Sequence, residues 1–265
     1  MNNKPLITVV TVVYNGEKEI EGTIKSVINQ TYPSLEYLVI DGASKDKTAD
    51  VIKEYADKIT WWISEPDKGI YDAMNKGIER ASGEWILFMN AGDYFYSDTS
   101  VAKMFDNDAD YSAYDVVYGD AEFRLKTFSY IKQAMDAAPD RFMPFSHQAA
   151  FTRTSAAKRQ KFGTIYKIAS DTEFFMKLSM SGSVFKRIPV IVCSYDAHIG
   201  LSVRNEVQRS KEIVDMQVKN GAPYTSYYKK FIRDAYIKQF MRKLIPDSIW
   251  TKMRENKIKK QEGIE

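Results

Sequence analysis

Three polar clusters in the first third of the chain each follow an apolar run. Asp41 follows Leu35-Glu36-Tyr37-Leu38-Val39-Ile40 and opens Gly42-Ala43-Ser44-Lys45-Asp46-Lys47-Thr48. Ser64-Glu65-Pro66-Asp67-Lys68-Gly69 leads into Ile70-Tyr71-Asp72-Ala73-Met74-Asn75. Asn90-Ala91-Gly92-Asp93 follows Trp85-Ile86-Leu87-Phe88-Met89. An Asp at a strand end can accept the imide N–H of uracil, and the Gly and Ser behind it let the chain turn. A capped helix start, with Ser44 or Asp46 as the cap, accounts for the same residues. Lys68 and the N–H groups of a helix beginning at Ile70 suit a phosphate. Asp72 lies in that helix's first turn, and Asn75 shares its face three residues on. Asp72 also reads as a charge favourable to the helix dipole. Divalent ions on diphosphates commonly take one or two protein carboxylates plus phosphate oxygens, which makes Asp93 the best metal-ligand candidate. The bland alternative is a turn Asp.

The surrounding elements give these clusters a common edge. Residues 6–14 are β-branched and nearly continuous, as in a strand covered on both faces. Asn15 and Gly16 break the run, with Asn15 as N-cap of a helix over 17–29. Strands follow at 35–40, 59–64, 85–89 and 115–118, the last ending at Gly119-Asp120. Helices at 48–56, 70–81 and 101–105 alternate with them. That order predicts an α/β fold: a mostly parallel sheet flanked by helices, which binds ligands at the carboxyl ends of its strands. Beyond Asp120 the alternation weakens. Residues 123–145 read as loop, 174–179 as helix, and 185–195 as one or two strands broken at Pro189. Residues 205–219 form an amphipathic helix, and 227–260 an aromatic, basic helical stretch interrupted at Pro246.

Composition narrows the field. Cys193 is the only cysteine, so no intrachain disulfide or Cys-rich zinc site exists, and a reducing compartment is expected. Two histidines, His147 and His198, are too few for a His-based metal cage. No secretory signal and no run of roughly 18 apolar residues is visible, so a soluble or membrane-surface protein is expected. From Lys229 onward eleven Lys/Arg oppose five Asp/Glu, a net +6, which leaves −3 for the rest of a +3 chain. A nucleic-acid binder more often carries its basic stripe across the body, so no nucleic-acid partner is expected. There is no G-x-G-x-x-G after the first strand, no Walker A loop, no H-E-x-x-H and no G-x-S-x-G.

Taken together, Thr11-Val12-Val13-Tyr14-Asn15, the 41–48 and 64–77 segments, and Asn90 to Asp93 after Gly83-Glu84-Trp85-Ile86 resemble the family 2 glycosyltransferases of the GT-A type. The resemblance is closest over roughly the first 95 residues, and closest to the branch associated with bacterial surface-polysaccharide assembly. It implies a GT-A (Rossmann-like) domain with a C-terminal helical extension. Residues 1–120 would be the donor half, 121–220 the acceptor and catalytic half, and 221–265 a basic amphipathic tail. It implies a nucleotide-sugar donor, expected to be a UDP-sugar, with Asp41 facing the uracil and Tyr14 and Asn15 near the nucleotide. Ser44, Lys68, Asp72, Asn75 and His147 complete the expected donor contacts. Asp93 would hold Mn²⁺ or Mg²⁺ against the diphosphate. Many relatives pair two Asp residues there; Gly92 replaces the first, and Asn90 stands in for its ribose contact. Phe145-Ser146-His147-Gln148 resembles an element that opens the acceptor side. Ala169-Ser170-Asp171-Thr172-Glu173-Phe174 resembles the segment carrying the base, with Asp171 first and Glu173 second. His198, before Gly200-Leu201-Ser202, would reach the metal or the phosphates.

The implied reaction is a single inverting displacement onto a saccharide or lipid-linked acceptor. The competing enzyme class is a sugar nucleotidyltransferase, which usually begins with a Gly-rich basic loop; Tyr14-Asn15-Gly16-Glu17 is not one. The non-enzymatic alternative is a degenerate nucleotide-sugar or polysaccharide binding module. The tail reads either as a helical cap or as an interfacial helix on an anionic leaflet, at the inner face of the cytoplasmic membrane. Its aromatics leave room for a homodimer.

Overall fold

A computed structural model describes residues 4–105, 110–137, 143–198, 200–221 and 225–264. The chain divides into two compact units. The first holds Met1–Phe123 and Ser129–Asp196; the second holds Arg124–Phe128 and Ala197–Glu265.

The first unit is built on one sheet. β1 (Ile7–Val13), β2 (Leu35–Asp41), β3 (Trp61–Ser64) and β4 (Trp85–Phe88) form its parallel part, in the order β3-β2-β1-β4. Every residue of β1 is buried, as its β-branched run requires of a central parallel strand. Successive side chains take opposite faces. Ile7, Val9 and Val13 pack with Ile20, Ile24 and Val27 of α1 (Ile20–Ile28). Val10 and Val12 pack with Tyr71, Met74 and Ile78 of α3 (Ile70–Arg80). Each fully buried aliphatic of this kind contributes about 1.5–3 kcal/mol. Gly77 brings α3 down onto the sheet: a Cβ there would lie 2.5 Å from the Val10 side chain. Between β2 and β3 runs α2 (Thr48–Glu54).

Antiparallel strands extend the other side. β5 (Tyr94–Phe95) follows β4, and α4 (Ser100–Phe105) precedes β6 (Val116–Arg124). β7 (Ser129–Lys132) pairs β6; β8 (Ala150–Arg153) lies between β4 and β6; β9 (Phe185–Asp196) lies between β6 and β5. The expected end of a strand at Gly119-Asp120 is therefore corrected: β6 runs on, because β9 needs Gly119 bare, its absent Cβ facing the Val190 carbonyl. The expected loop over 123–145 contains β7, while Pro139 lies outside the described residues. β9 passes through Pro189 unbroken, since a proline φ near −65° still lies at the edge of the strand region. α5 (Thr154–Gln160) and α6 (Ser170–Met180) complete the unit.

The second unit is helical: α7 (Leu201–Arg204), α8 (Glu206–Lys219), α9 (Ser226–Leu244) and α10 (Asp247–Glu262). The break falls at Pro246, as expected. In α9 Ala235 is buried, yet Ile237, Phe240 and Leu244 are exposed. Within this unit Glu255 of α10 accepts the Thr127 backbone N–H at 3.1 Å and Arg254 donates to the Ala197 carbonyl at 2.6 Å.

Candidate active site

Parallel pairing brings the ends of β1, β2 and β3 level, with Val13 opposite Asp41 and Asp41 opposite Ser64. The loops that leave them are stitched together. Asn15 accepts the Lys45 N–H at 2.8 Å through Oδ1, and its own N–H donates to Ser44 Oγ at 2.8 Å. Thr48 Oγ1 accepts from Gly16, and Asp46 accepts from Glu17 and caps Thr48. Asn15 is thus not the cap of α1, which begins at Ile20; its amide joins the two loops instead. Asn15 and Ala43 hold positive φ values of 51° and 60°, sparsely populated for non-glycine residues and concentrated here at the strand ends.

Asp41 is completely buried. Its carboxylate accepts Ser64 Oγ at 2.5 Å, the Ser44 N–H at 3.2 Å and the Ser44 hydroxyl. Asp41, the residue expected to face uracil, thus joins the loop that follows β2 to the end of β3 through Ser44 and Ser64. The open surface beside it is a cleft of about 330 Å³ lined by Tyr14, Gly42, Ala43, Lys45, Pro66 and Asp67. Tyr14 presents a ring 61% exposed. Asp67 lies against Gly42, where a Cβ would collide with its carboxylate. Asp67 was read from the sequence only as part of the turn before α3, and Lys45 was given no role of its own; that both line the cleft depends on the pairing of β2 with β3.

At the start of α3 the expected donor contacts separate. Lys68 is exposed. Asp72 accepts the Lys68 backbone N–H at 3.0 Å, closing the turn that Asp67 begins by accepting from Gly69 at 2.8 Å. Asn75 is committed elsewhere: its amide donates to the Phe162 carbonyl at 2.9 Å and accepts the Phe162 N–H at 2.8 Å. That two-point clamp fixes the segment after α5 and is a structural role.

The candidate metal and base carboxylates lie beyond β4. Gly92, at φ 95°, turns the chain so that Asp93 N donates to Asn90 O at 2.9 Å. Thr23 of α1 bridges the turn, accepting from Gly92 at 3.0 Å and donating to the Asp93 carbonyl at 2.9 Å. β8 runs antiparallel to β4, so the turn at His147–Ala149 that precedes β8 arrives at this same edge. It delivers two neighbours to two carboxylates. Gln148 Nε2 donates to Asp93 Oδ2 at 3.0 Å, and His147 Nδ1 lies 3.2 Å from Asp171 Oδ2. Asp171 stands in the first turn of α6, where its Oδ1 also accepts the Thr172 N–H at 2.7 Å. Burial pulls the His147 imidazole towards its neutral form. The hydrogen bond to Asp171 and the charges of Asp171 and Asp93 outweigh this, and its pKa lies above the ordinary 6.5.

Glu173, the alternative base, is buried and paired with Lys177 at 2.7 Å; its Oε2 lies against Gly163. Asp171 is the better placed of the two. His198 belongs to the second unit, where the Asp247 carboxylate is held below its usual range by Lys126 first and by His198 to a lesser degree. For a hard cation the fitting donors are the Asp93 carboxylate and Asn90 Oδ1, a buried acceptor without a hydrogen-bond partner in the same turn. No group of three or more His, Cys, Asp or Glu in a metal-binding arrangement occurs among the described residues.

An α/β sheet with polar loops at its parallel edge and carboxylates on the β4 exit and an adjoining helix start defines a GT-A type domain. Residues 8–171 match the model of the glycosyl transferase family 2, and the chain belongs to that family. It is 30% identical over 211 residues to a PGL/p-HBAD biosynthesis glycosyltransferase of Mycobacterium bovis (strain BCG / Pasteur 1173P2), covering 75% of this chain and 79% of that one. In fold it is similar to S. aureus TarS 1-349 in complex with UDP-GlcNAc (TM-score 0.64, 18% identity, 87% of this chain and 71% of that one). It is equally similar to the mannosyltransferase PcManGT of Pyrobaculum calidifontis in complex with GDP-Man and Mn2+ (TM-score 0.64, 19% identity, 89% and 71%).

Proposed function

We propose that the chain is a metal-dependent, inverting glycosyltransferase. It moves a sugar from a UDP-sugar to a saccharide or lipid-linked acceptor in bacterial surface-polysaccharide synthesis. The observation that carries this reading is the His147-Gln148 pair, whose side chains hold Asp171 and Asp93 respectively. A carboxylate suited to a diphosphate-bound cation and a carboxylate suited to a proton are thereby tied to one turn. The donor nucleotide occupies the cleft, with Tyr14 stacking on the base, Asp67 at its wall, and Asp41 bracing the loop. Asp93, with Asn90, holds Mn²⁺ or Mg²⁺, which supplies charge stabilisation to the leaving diphosphate. The acceptor hydroxyl oxygen bonds to the anomeric carbon as the bond from that carbon to the diphosphate oxygen breaks. Asp171 takes the hydroxyl proton, and the nucleoside diphosphate leaves with the bonding electrons. One displacement inverts the anomeric centre. One structural relative is a UDP-GlcNAc complex and the other a GDP-Man complex, which supports a nucleotide-sugar donor for this fold.

The second unit is assigned a peripheral contact with an anionic membrane, on the cytoplasmic side. Among the described residues no helix is long and apolar enough to cross a membrane. Exposed Ile237, Phe240 and Leu244 follow Lys230 and Arg233 along one helical row of α9.

The test is transfer from a panel of UDP- and GDP-sugars to lipid-linked and free saccharide acceptors, with the product anomer read by NMR. An inverted product from a UDP-sugar is expected. A retained anomer contradicts the single displacement, and tight nucleotide binding without turnover on any acceptor points to the degenerate binding module.

A further inference from the structure

We propose that His147 and Gln148 are positioning residues with separable duties: His147 sets the base Asp171, and Gln148 sets the cation carboxylate Asp93. The inference rests on the glycosyltransferase reading above and deepens it. Their placement follows from the fold. The turn that carries them is fixed at both ends. On one side β8 is locked between β4 and β6, with Thr152 opposite both Ile86 and Val116. On the other, Phe145 packs at a tilt against Tyr118 at 4.3 Å between ring centroids and meets Phe175 of α6 edge-on at 5.0 Å. The turn is thus anchored to β4, whose exit carries Asp93, and to α6, whose first turn carries Asp171. A side chain held at its base by such packing can hold its partner's rotamer in turn.

The two contacts differ in kind. Gln148 is a neutral donor, buried and 3.0 Å from Asp93 Oδ2. It orients that carboxylate without adding a positive charge to compete with a cation. His147 presents Nδ1 to Asp171 at 3.2 Å, while its Nε2 is buried with no hydrogen-bond partner. The imidazole therefore acts on Asp171 through one nitrogen, and a residue that supplies a donor at that position alone should replace it. Asn places its amide nitrogen near Nδ1; Gln places its own near Nε2.

The experiment is steady-state transfer kinetics together with calorimetric titration of UDP in the presence of Mn²⁺, on His147→Ala, His147→Asn, His147→Gln and Gln148→Leu. Each variant is checked for folding by its melting curve. Loss of an outer-shell partner typically costs roughly 10- to 100-fold in activity or metal affinity. For His147→Ala a kcat loss of that size is expected, with Mn²⁺-dependent UDP affinity within about threefold of wild type. His147→Asn should recover most of the rate and His147→Gln little of it. For Gln148→Leu the Mn²⁺-dependent UDP affinity itself should fall by roughly 10- to 100-fold, a readout independent of turnover. Equal rates for the Asn and Gln variants overturn the assignment of His147. Unchanged UDP affinity in Gln148→Leu overturns that of Gln148. Failure of the underlying reading looks different: wild type itself would then bind no UDP with Mn²⁺, or Asp93→Ala would bind it normally.

Discussion

Replacing Asp171 by Asn keeps the side-chain volume and the acceptor for the Thr172 N–H, and removes the charge and the basicity. Two consequences have different sizes. The first is catalytic. A positioned general base contributes about 10²- to 10⁴-fold, so kcat should fall by that factor while UDP affinity with Mn²⁺ stays within about threefold. The second is energetic. Asp171 and His147 are 17% and 19% exposed, so their hydrogen bond is little screened. A bond to a charged group of this kind is worth about 1.5–3 kcal/mol. At roughly 2–4 °C per kcal/mol for a unit of this size, Tm should fall by about 3–12 °C. The loss should depend on pH in a definite sense. The folded-state pKa of His147 is raised, so its contribution is fully present below about 6.5 and fades as pH rises through the folded-state value. The Tm gap between wild type and Asp171→Asn, measured in EDTA by circular dichroism, should therefore narrow as pH rises above about 6.5. Turnover is followed by release of UDP. Transfer within about threefold of wild type refutes Asp171 as the base, and a Tm gap that widens with pH refutes the charged pair.

Other expectations follow from single contacts. Tyr14→Ala should weaken UDP binding by roughly 5- to 150-fold, the worth of one base–aromatic stack, and leave Tm unchanged because the ring is exposed; calorimetry and melting read both. Asn75→Ala should do the reverse, lowering stability by about 1–3 kcal/mol in urea titration through loss of both Phe162 contacts while UDP affinity holds. Phe240→Glu with Leu244→Glu should abolish sedimentation with phosphatidylserine-containing liposomes without affecting transfer to a water-soluble acceptor; unchanged sedimentation removes the membrane role of α9.

The parallel half of the fold was legible because its determinants are local. A nearly continuous apolar run bounded by turn residues announces a strand, and β1 and β2 sit within a residue or two of the runs that announced them. What escaped was set by distant partners. Gly119 looked like a strand end because nothing near it in sequence shows that β9 lies beside β6 and brings Val190 close to it. β7 is four residues on a sheet edge, too short and too polar to stand out. The site divides in the same way. Asp93 and Asp171 were visible as carboxylates placed at an element's end or start. Asn15 and Asn75 carried the same polar signature, but Lys45 and Phe162, 30 and 87 residues away, decide what they do. Asp41 was legible as a carboxylate at a strand end, whereas its hydrogen bond from Ser64 depends on the neighbouring strand 23 residues on.

Calorimetric titration of UDP with and without Mn²⁺, on wild type, Asp93→Ala and Asp171→Asn, bears most directly on the shared centre. Binding that requires Mn²⁺, disappears with Asp93→Ala and survives Asp171→Asn is the expected result. Binding that ignores Mn²⁺ and persists in folded Asp93→Ala would contradict a cation site at Asp93, and with it the division of labour between the two carboxylates.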